Sequence, residues 1–262
     1  MKILLLGPYN SPILQRLKFN LEEIGGHEVW VATYNKESDP ENRIISMGEL
    51  NSFLGYLNFF KLNKIARQIK PDVIHAHIIN HYGLMALFQK TPLVIAIWGS
   101  EVMIALNSKN YFKRAFFKAI SFLVAAKSSA IHTSSAHIKE EMQRHFNDRV
   151  TSKIKTFYWG FPVSAPTPEL KQELNTNLLN EFNISSSNLL VFTRGLAPTY
   201  NPELMVKIIK KLLESQIPFP IVVLKGFSTD EQTETFKNML VEKWEDIIFI
   251  DRLLSSEELH CL

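Results

Sequence analysis

Along the whole chain, short runs of β-favouring apolar residues alternate with stretches whose apolar positions recur at helical spacing. In the front part the runs are Lys2–Leu6, Glu28–Ala32, Val73–His75, Leu93–Ile97, Ala130–Thr133 and Ile154–Phe157. Runs of this kind with helical patterns between them are the signature of βαβ units closing a parallel sheet. Leu62, Ile65, Ala66 and Ile69 mark one helical stripe, and Lys70-Pro71-Asp72 stops it. The front half is therefore expected to be a doubly wound α/β domain, residues 1–160. Gly160-Phe161-Pro162-Val163-Ser164-Ala165-Pro166-Thr167-Pro168 is dense in helix breakers and reads as a linker. Residues 161–187 are taken as linker and domain start. A fresh alternation then begins, with strands over Leu189–Thr193, Ile221–Lys225 and Ile247–Ile250 and a helix over Pro202–Ser215. Ser255-Ser256-Glu257-Glu258 has the form of a capped helix start, but no apolar repeat follows it. The second domain, 188–262, is accordingly expected to be incomplete.

Length and composition fit this picture. The 262 residues allow two domains of ordinary size, and 46% hydrophobic with 21% charged residues is the balance of a globular protein. The single cysteine, Cys261, excludes an internal disulfide and a cysteine-based metal cluster. Lys2–Leu6 is too short for a signal peptide, and Ala115–Ala126 carries Lys118 and is too short for a membrane span, so a cytoplasmic protein is expected. Charge is uneven: Met1–Gly160 holds 20 Lys and Arg against 12 Asp and Glu, and Phe161–Leu262 holds 9 against 14. The front half is the side expected to face an anion or an anionic surface.

The candidate chemistry lies at the ends of the predicted strands. Gly7 follows the first one, where it either lets backbone approach a phosphate or simply makes a tight turn, and Pro8 and Pro12 remove amide donors nearby. His75 and His77 share one face of a strand with His81 close behind, which admits a metal site or, with no carboxylate at hand, hydrogen-bonding and core roles. In Trp98-Gly99-Ser100-Glu101, Gly99 permits a turn and Ser100 can cap a helix. Glu101 stands at the sheet rim as an acid/base or sugar-binding carboxylate, or as a solvated residue of the cap. Ser134 or Ser135 starts another helix whose amides can hold a ligand oxygen. Asn107–Lys127 contains Lys109, Lys113, Arg114, Lys118 and Lys127, no acid, and Phe112, Phe116, Phe117, Phe122 and Leu123. It can lie on an anionic membrane or pack as an amphipathic helix. In the second domain Arg194 can grip a diphosphate, Tyr200 and Asn201 flank it, and Lys225-Gly226 ends the next strand. The chain contains no Asp-x-Asp, so a metal-bridged diphosphate site lacks its usual carboxylates and fixed cations must serve instead.

In their order, MKILLLG, IGGHEVWVAT, KPDVIHAHIINHYGLMAL, PLVIAIWGSEV, AIHTSSAHIKEEM, FYWGFPV and LLVFTRGLAPTYNPE resemble glycosyltransferase family 4 across nearly the whole chain. The resemblance implies a GT-B architecture of two Rossmann-like domains and retaining transfer of a hexose-type sugar from a nucleotide-sugar donor to a polysaccharide or lipid-linked acceptor. No cofactor, metal or nucleic acid is implied, and location at the inner membrane face through residues 107–127 is expected. Glu101 becomes the catalytic candidate. Gly7, Ser134, Arg194, Asn201, Lys225 and Gly226 fall to the donor, and His77, Gly99 and Ser100 to the acceptor side of an interdomain cleft. Three departures accompany the match. The family's Gly-Gly loop is Pro8-Tyr9-Asn10-Ser11-Pro12, Trp98 stands where a histidine is common, and Tyr200-Asn201 stands where a lysine is common, leaving Lys225 as its substitute. The family's Glu-x7-Glu segment is expected beyond Leu262, and without it this chain is expected to be inactive. A non-catalytic remnant that binds membrane or partner, and a GT-B nucleotide-sugar epimerase, are the alternatives.

Overall fold

The computed structural model describes residues 1–158, 167–184, 188–217, 220–226, 228–240, 247–252, 254–259 and 261. The chain divides into two compact units, Met1–Phe161 and Pro162–Leu262. Most of the breaker-rich stretch 160–168, and the end of the FYWGFPV segment, lie outside the described residues.

The first unit runs β1 (Lys2–Leu6), α1 (Pro12–Glu23), β2 (Glu28–Thr33), β3 (Ile44–Ser46), α2 (Phe59–Ile69) and β4 (Val73–His77). It continues with α3 (Gly83–Met85), β5 (Leu93–Ile97), α4 (Ser100–Met103), α5 (Tyr111–Lys127), β6 (Ala130–Thr133), α6 (Ala136–His145), α7 (Asp148–Thr151) and β7 (Ile154–Thr156). The strands form one seven-stranded sheet, ordered β3-β2-β1-β4-β5-β6-β7, and every pairing is parallel. Strand alternation divides the core. Ile3, Leu5, Val29 and Val31 face Leu14 of α1, while Leu4, Leu6, Ile74, Ile95, Ile97 and Ile131 face Leu62 and Ile65 of α2, Val124 of α5 and Ile138 of α6. Strand order reverses at β1, which pairs β2 on one side and β4 on the other, so the carboxyl ends of β1 and β4 flank the switch point where ligands of such sheets bind. Helix α2 stops as the sequence predicts, with Lys70 left-handed at its C-cap, where the following proline blocks continuation.

The second unit runs α8 (Pro168–Glu181), β8 (Leu190–Phe192), α9 (Pro202–Glu214), β9 (Ile221–Leu224), α10 (Asp230–Leu240), β10 (Ile247–Ile250) and α11 (Ser256–Leu259). Its described strands form a smaller parallel sheet, β10-β9-β8, with Ile209 and Phe236 packed on one face and Ile184 on the other. The Ser255–Glu258 start is a reciprocal capping box: the Glu258 amide donates to Ser255 Oγ at 3.1 Å and the Ser255 amide to Glu258 Oε2 at 2.7 Å. Arg252 bridges Glu181 and Glu258, tying α8 to α11.

Several elements add to the sequence expectation, β3 and α8 among them. β3 is a three-residue edge strand behind a polar run, and α8 buries only Leu178, so neither has the apolar periodicity that reveals an element. No helix among the described residues is long and apolar enough to cross a membrane.

Candidate functional site

The chain leaves β4 by an unusual route. Ile78 has φ +67°, a conformation that β-branched residues seldom adopt, and the next residues form a single π-helical turn over Ile78–Tyr82. The turn buries Asn80, whose Oδ1 lies 2.6 Å from His81 Nδ1, and sets the His81 ring edge-on to Tyr56 and Phe53.

His77, at the end of β4, is fully buried. Its Nδ1 accepts a hydrogen bond from Trp98 Nε1 at 3.0 Å, which assigns the proton of the neutral ring to Nε2. Burial, with His75 and His132 close by, holds its pKa well below the ordinary histidine value. Gly7 follows β1 directly against it: a Cβ there would lie 3.0 Å from Leu14 Cδ2 and 3.2 Å from His77 Cβ. A side chain there would have to push one of these neighbours aside by a few tenths of an ångström, so glycine suits the close packing of β1 against β4 and α1.

After β5 the chain turns at Gly99, whose φ of +130° is open only to glycine. Glu101, 3% exposed, closes this turn from inside. Its Oε1 accepts from the Trp98 amide at 2.8 Å and its Oε2 from the Gly99 amide at 2.9 Å. Burial raises the Glu101 pKa, and the backbone amides oppose that shift. Ser100 is exposed on the first turn of α4. Ser134 lies in the short connection between β6 and α6, and Ser135 is the N-cap residue of α6.

Along this edge of the first unit opens a pocket of about 580 Å³, lined by His81, Ser100, Glu101, Lys109, Lys113 and Phe117, among others. It gathers Ser100 and Glu101 with two lysines of the basic helix region. The structure thereby joins two features that sequence spacing keeps apart. Asn80 also lines it, and no motif in the sequence distinguishes that residue.

In the second unit Arg194 and Asn201 share a pocket of about 310 Å³ at the end of β8. The Arg194 guanidinium lies over the Tyr200 ring, 5.4 Å from its centre. Asn201, left-handed at φ +54°, caps α9 by accepting from the Leu204 amide at 3.2 Å. Lys225 is engaged differently, in an ion pair with the exposed Asp230. Gly226, at φ +58°, brings its loop against Gly195: a Cβ on Gly226 would lie 3.5 Å from the Gly195 Cα. Ser228 Oγ accepts from the Leu196 amide at 2.6 Å and fixes that approach. Gly195 and Ser228 carry no sequence signal beyond residue type.

The three histidines do not converge. The His75 and His77 rings are 4.7 Å apart, while His81 is held by Asn80, and among the described residues no His, Cys, Asp and Glu group has the arrangement of a metal site.

Residues 2–135 match the model of the glycosyl transferase 4-like family. The chain belongs to that family. A sequence search among curated proteins finds no match. Among solved structures it is similar to Anabaena Alr3699/HepE in complex with UDP-glucose, with TM-score 0.70 and 14% identity over 99% of this chain and 71% of that one. A glycosyltransferase from Rickettsia africae ESF-5 gives 0.66 and 14% over 98% and 70%. The UDP-GlcNAc 2-epimerase of Methanocaldococcus jannaschii gives 0.58 and 15% over 100% and 76%. The fold of this glycosyl transferase 4-like chain is that of the GT-B glycosyltransferases.

Proposed function

We propose that the chain is a transferase of the GT-B type that takes a hexose-type sugar from a UDP-linked donor and passes it to a hydroxyl of a glycan or lipid-linked acceptor. The family match over residues 2–135 carries the reading, and complexes of a similar structure with UDP and UDP-glucose support the choice of nucleotide. The same fold serves UDP-GlcNAc 2-epimerases, so the second reading is an epimerase, which needs no acceptor.

In the proposed reaction the acceptor oxygen bonds to the anomeric carbon while the bond from that carbon to the diphosphate breaks, and the acceptor proton passes to the departing diphosphate. The protein's contribution is to place the partners and stabilise the charge that develops on the leaving group. Arg194, beside Asn201 in its pocket, is the cation assigned to that diphosphate. Lys225 and Gly226 belong to the donor side, where Lys225 exchanges Asp230 for phosphate. Gly7 and Ser134, at the carboxyl edge of the first sheet, are assigned to the donor. No metal is assigned to the reaction, and fixed cations take its place.

Ser100 and Glu101 line the proposed acceptor pocket, and the buried His77 and Gly99 support it from within, His77 through its bond to Trp98 and Gly99 through the turn that Glu101 closes. Glu101 acts by holding the Gly99 turn in shape rather than by carrying a proton, because both of its oxygens already accept backbone amides. Incubation with UDP-glucose or UDP-GlcNAc, followed by detection of UDP and of sugar products, tests the proposal. Sugar transfer that vanishes in Arg194→Ala supports it. A 2-epimer formed with no acceptor added establishes the epimerase instead.

A further inference from the structure

The segment that leaves β4 carries more structure than a connection needs. Ile78 holds φ +67° and Ile78–Tyr82 closes as a π-helical turn, and backbone of this kind gathers where a side chain must be aimed. The turn is tightly seated. At Gly83, which follows it, a Cβ would lie 3.0 Å from Val124 Cγ1 of α5 and 3.2 Å from Ile95 Cδ1 of β5. The Ile79 amide is among the backbone groups that oppose the rise of the Glu101 pKa, which ties the turn to the Gly99 corner as well.

This seating fixes the ring of His81. Tyr56 lies edge-on to it at 4.8 Å and Phe53 at 5.6 Å, which sets the plane of the imidazole. Asn80, 1% exposed, sets its tautomer: Asn80 Oδ1 stands 2.6 Å from His81 Nδ1, and a carboxamide oxygen only accepts. Nδ1 therefore carries the proton of the neutral ring, and Nε2 carries the lone pair. Burial lowers the His81 pKa, which keeps that lone pair free at neutral pH. Nε2 has no hydrogen-bond partner among the described residues, and His81 lines the pocket with Ser100, Lys109 and Lys113. The two lysines bring donors alone, and both Glu101 oxygens are held by the Trp98 and Gly99 amides. The ring nitrogen adds a fixed acceptor, the group to which a sugar hydroxyl donates.

We infer that His81 is a specificity residue of the proposed transfer, accepting at Nε2 a hydrogen bond from one hydroxyl of the bound acceptor sugar. The inference rests on the reading of this pocket as the acceptor site and adds the hydroxyl by which that site recognises a carbohydrate.

Nitrogen–proton correlation spectra of the full chain with isotope-labelled histidine read the tautomer directly. The proton is expected on Nδ1 of His81, and a proton on Nε2 overturns the inference. The probe for the site is methyl β-glucoside, titrated into the same samples, with saturable binding that moves the Nε2 signal as the expected result. Protonation of Nε2 removes the acceptor, so affinity falls as pH is lowered through the His81 titration, by about twofold to tenfold, the worth of one hydrogen bond. Tyr56 against the ring and Glu101, Lys109 and Lys113 in the pocket are the titratable groups around it. His81→Gln keeps an acceptor oxygen and leaves all four in place, so its binding is expected to stay level over the same range. His81→Phe keeps the ring packing without the acceptor and binds about twofold to tenfold more weakly at neutral pH. One monodeoxy analogue of the glucoside shows the same loss with the parent chain and no further loss with His81→Phe. Absence of glucoside binding, binding that stays level through the His81 titration, or undiminished binding by His81→Phe overturns the inference. UDP binding measured on the same samples reports separately on the transferase reading, since His81 and the Arg194 pocket lie in different units.

Discussion

At the residue scale the turn after β5 is held by one side chain, and its energetics are open to measurement. Glu101 receives the amides of Trp98 and Gly99 and is itself almost wholly buried. Glu101→Ala leaves both donors unmatched and is expected to cost roughly 2–4 kcal/mol in chemical unfolding. Glu101→Gln keeps one acceptor oxygen and costs less. Equal losses in the two variants would show that the carboxylate, rather than its hydrogen bonds, holds the turn. The histidines predict a pH effect of definite sign. Burial sets the His75 pKa at about 4, below its ordinary 6.5, and His77 is lowered as well. As pH falls from 6.5 toward 4 the unfolded chain takes up a proton that folded His75 refuses, so stability drops by up to about 1.4 kcal/mol per pH unit for each such histidine. Unfolding titrations at pH 7 and pH 5 measure this drop, and His75→Phe should flatten it. A stability that stays level or rises toward pH 5 contradicts the assignment. The sequence displays His77, Gly99 and Glu101 as residue types at strand ends. It does not display the Trp98–His77 bond or the Glu101 clasp, because these depend on how the ends of β4 and β5 face each other.

At the scale of elements, helix α5 divides into a packed half and a bare half. Phe112→Ser with Phe116→Ser is expected to change unfolding stability by no more than about 0.5 kcal/mol per site, as surface positions do, whereas Ile120→Ala in the packed half costs about 2 kcal/mol or more. A large loss from the phenylalanine pair would mean that those rings are core. Composition exposes the basic and aromatic character of Asn107–Lys127, but amphipathic helices look alike whether their aromatics meet core or solvent, and only packing separates the halves. The same limit explains the rest of the fold. Strands β1, β5, β9 and β10 are readable because they are nearly continuous apolar runs. Edge strand β3 and the solvated helix α8 are not, because they bury too little to leave a periodic trace. The π-helical turn at Ile78–Tyr82 leaves no trace either, since its geometry runs against the preference of the isoleucine at its start.

For the whole molecule, two α/β units with opposite charge balance carry different parts of the proposed reaction. The basic first unit holds the family signature and the lysine-lined pocket, and the second holds Arg194 and Asn201 at the end of its first strand. The central claim is that the second unit binds the diphosphate of a UDP-linked donor. Calorimetric titration of the full chain with UDP, beside the Arg194→Ala variant, tests it most directly. Loss of a charge-assisted, bidentate contact is worth roughly 1.5–3 kcal/mol, so saturable binding that weakens about ten- to a hundredfold in the variant is the predicted result. Binding of equal strength in both proteins, or none in the parent chain, would contradict the account.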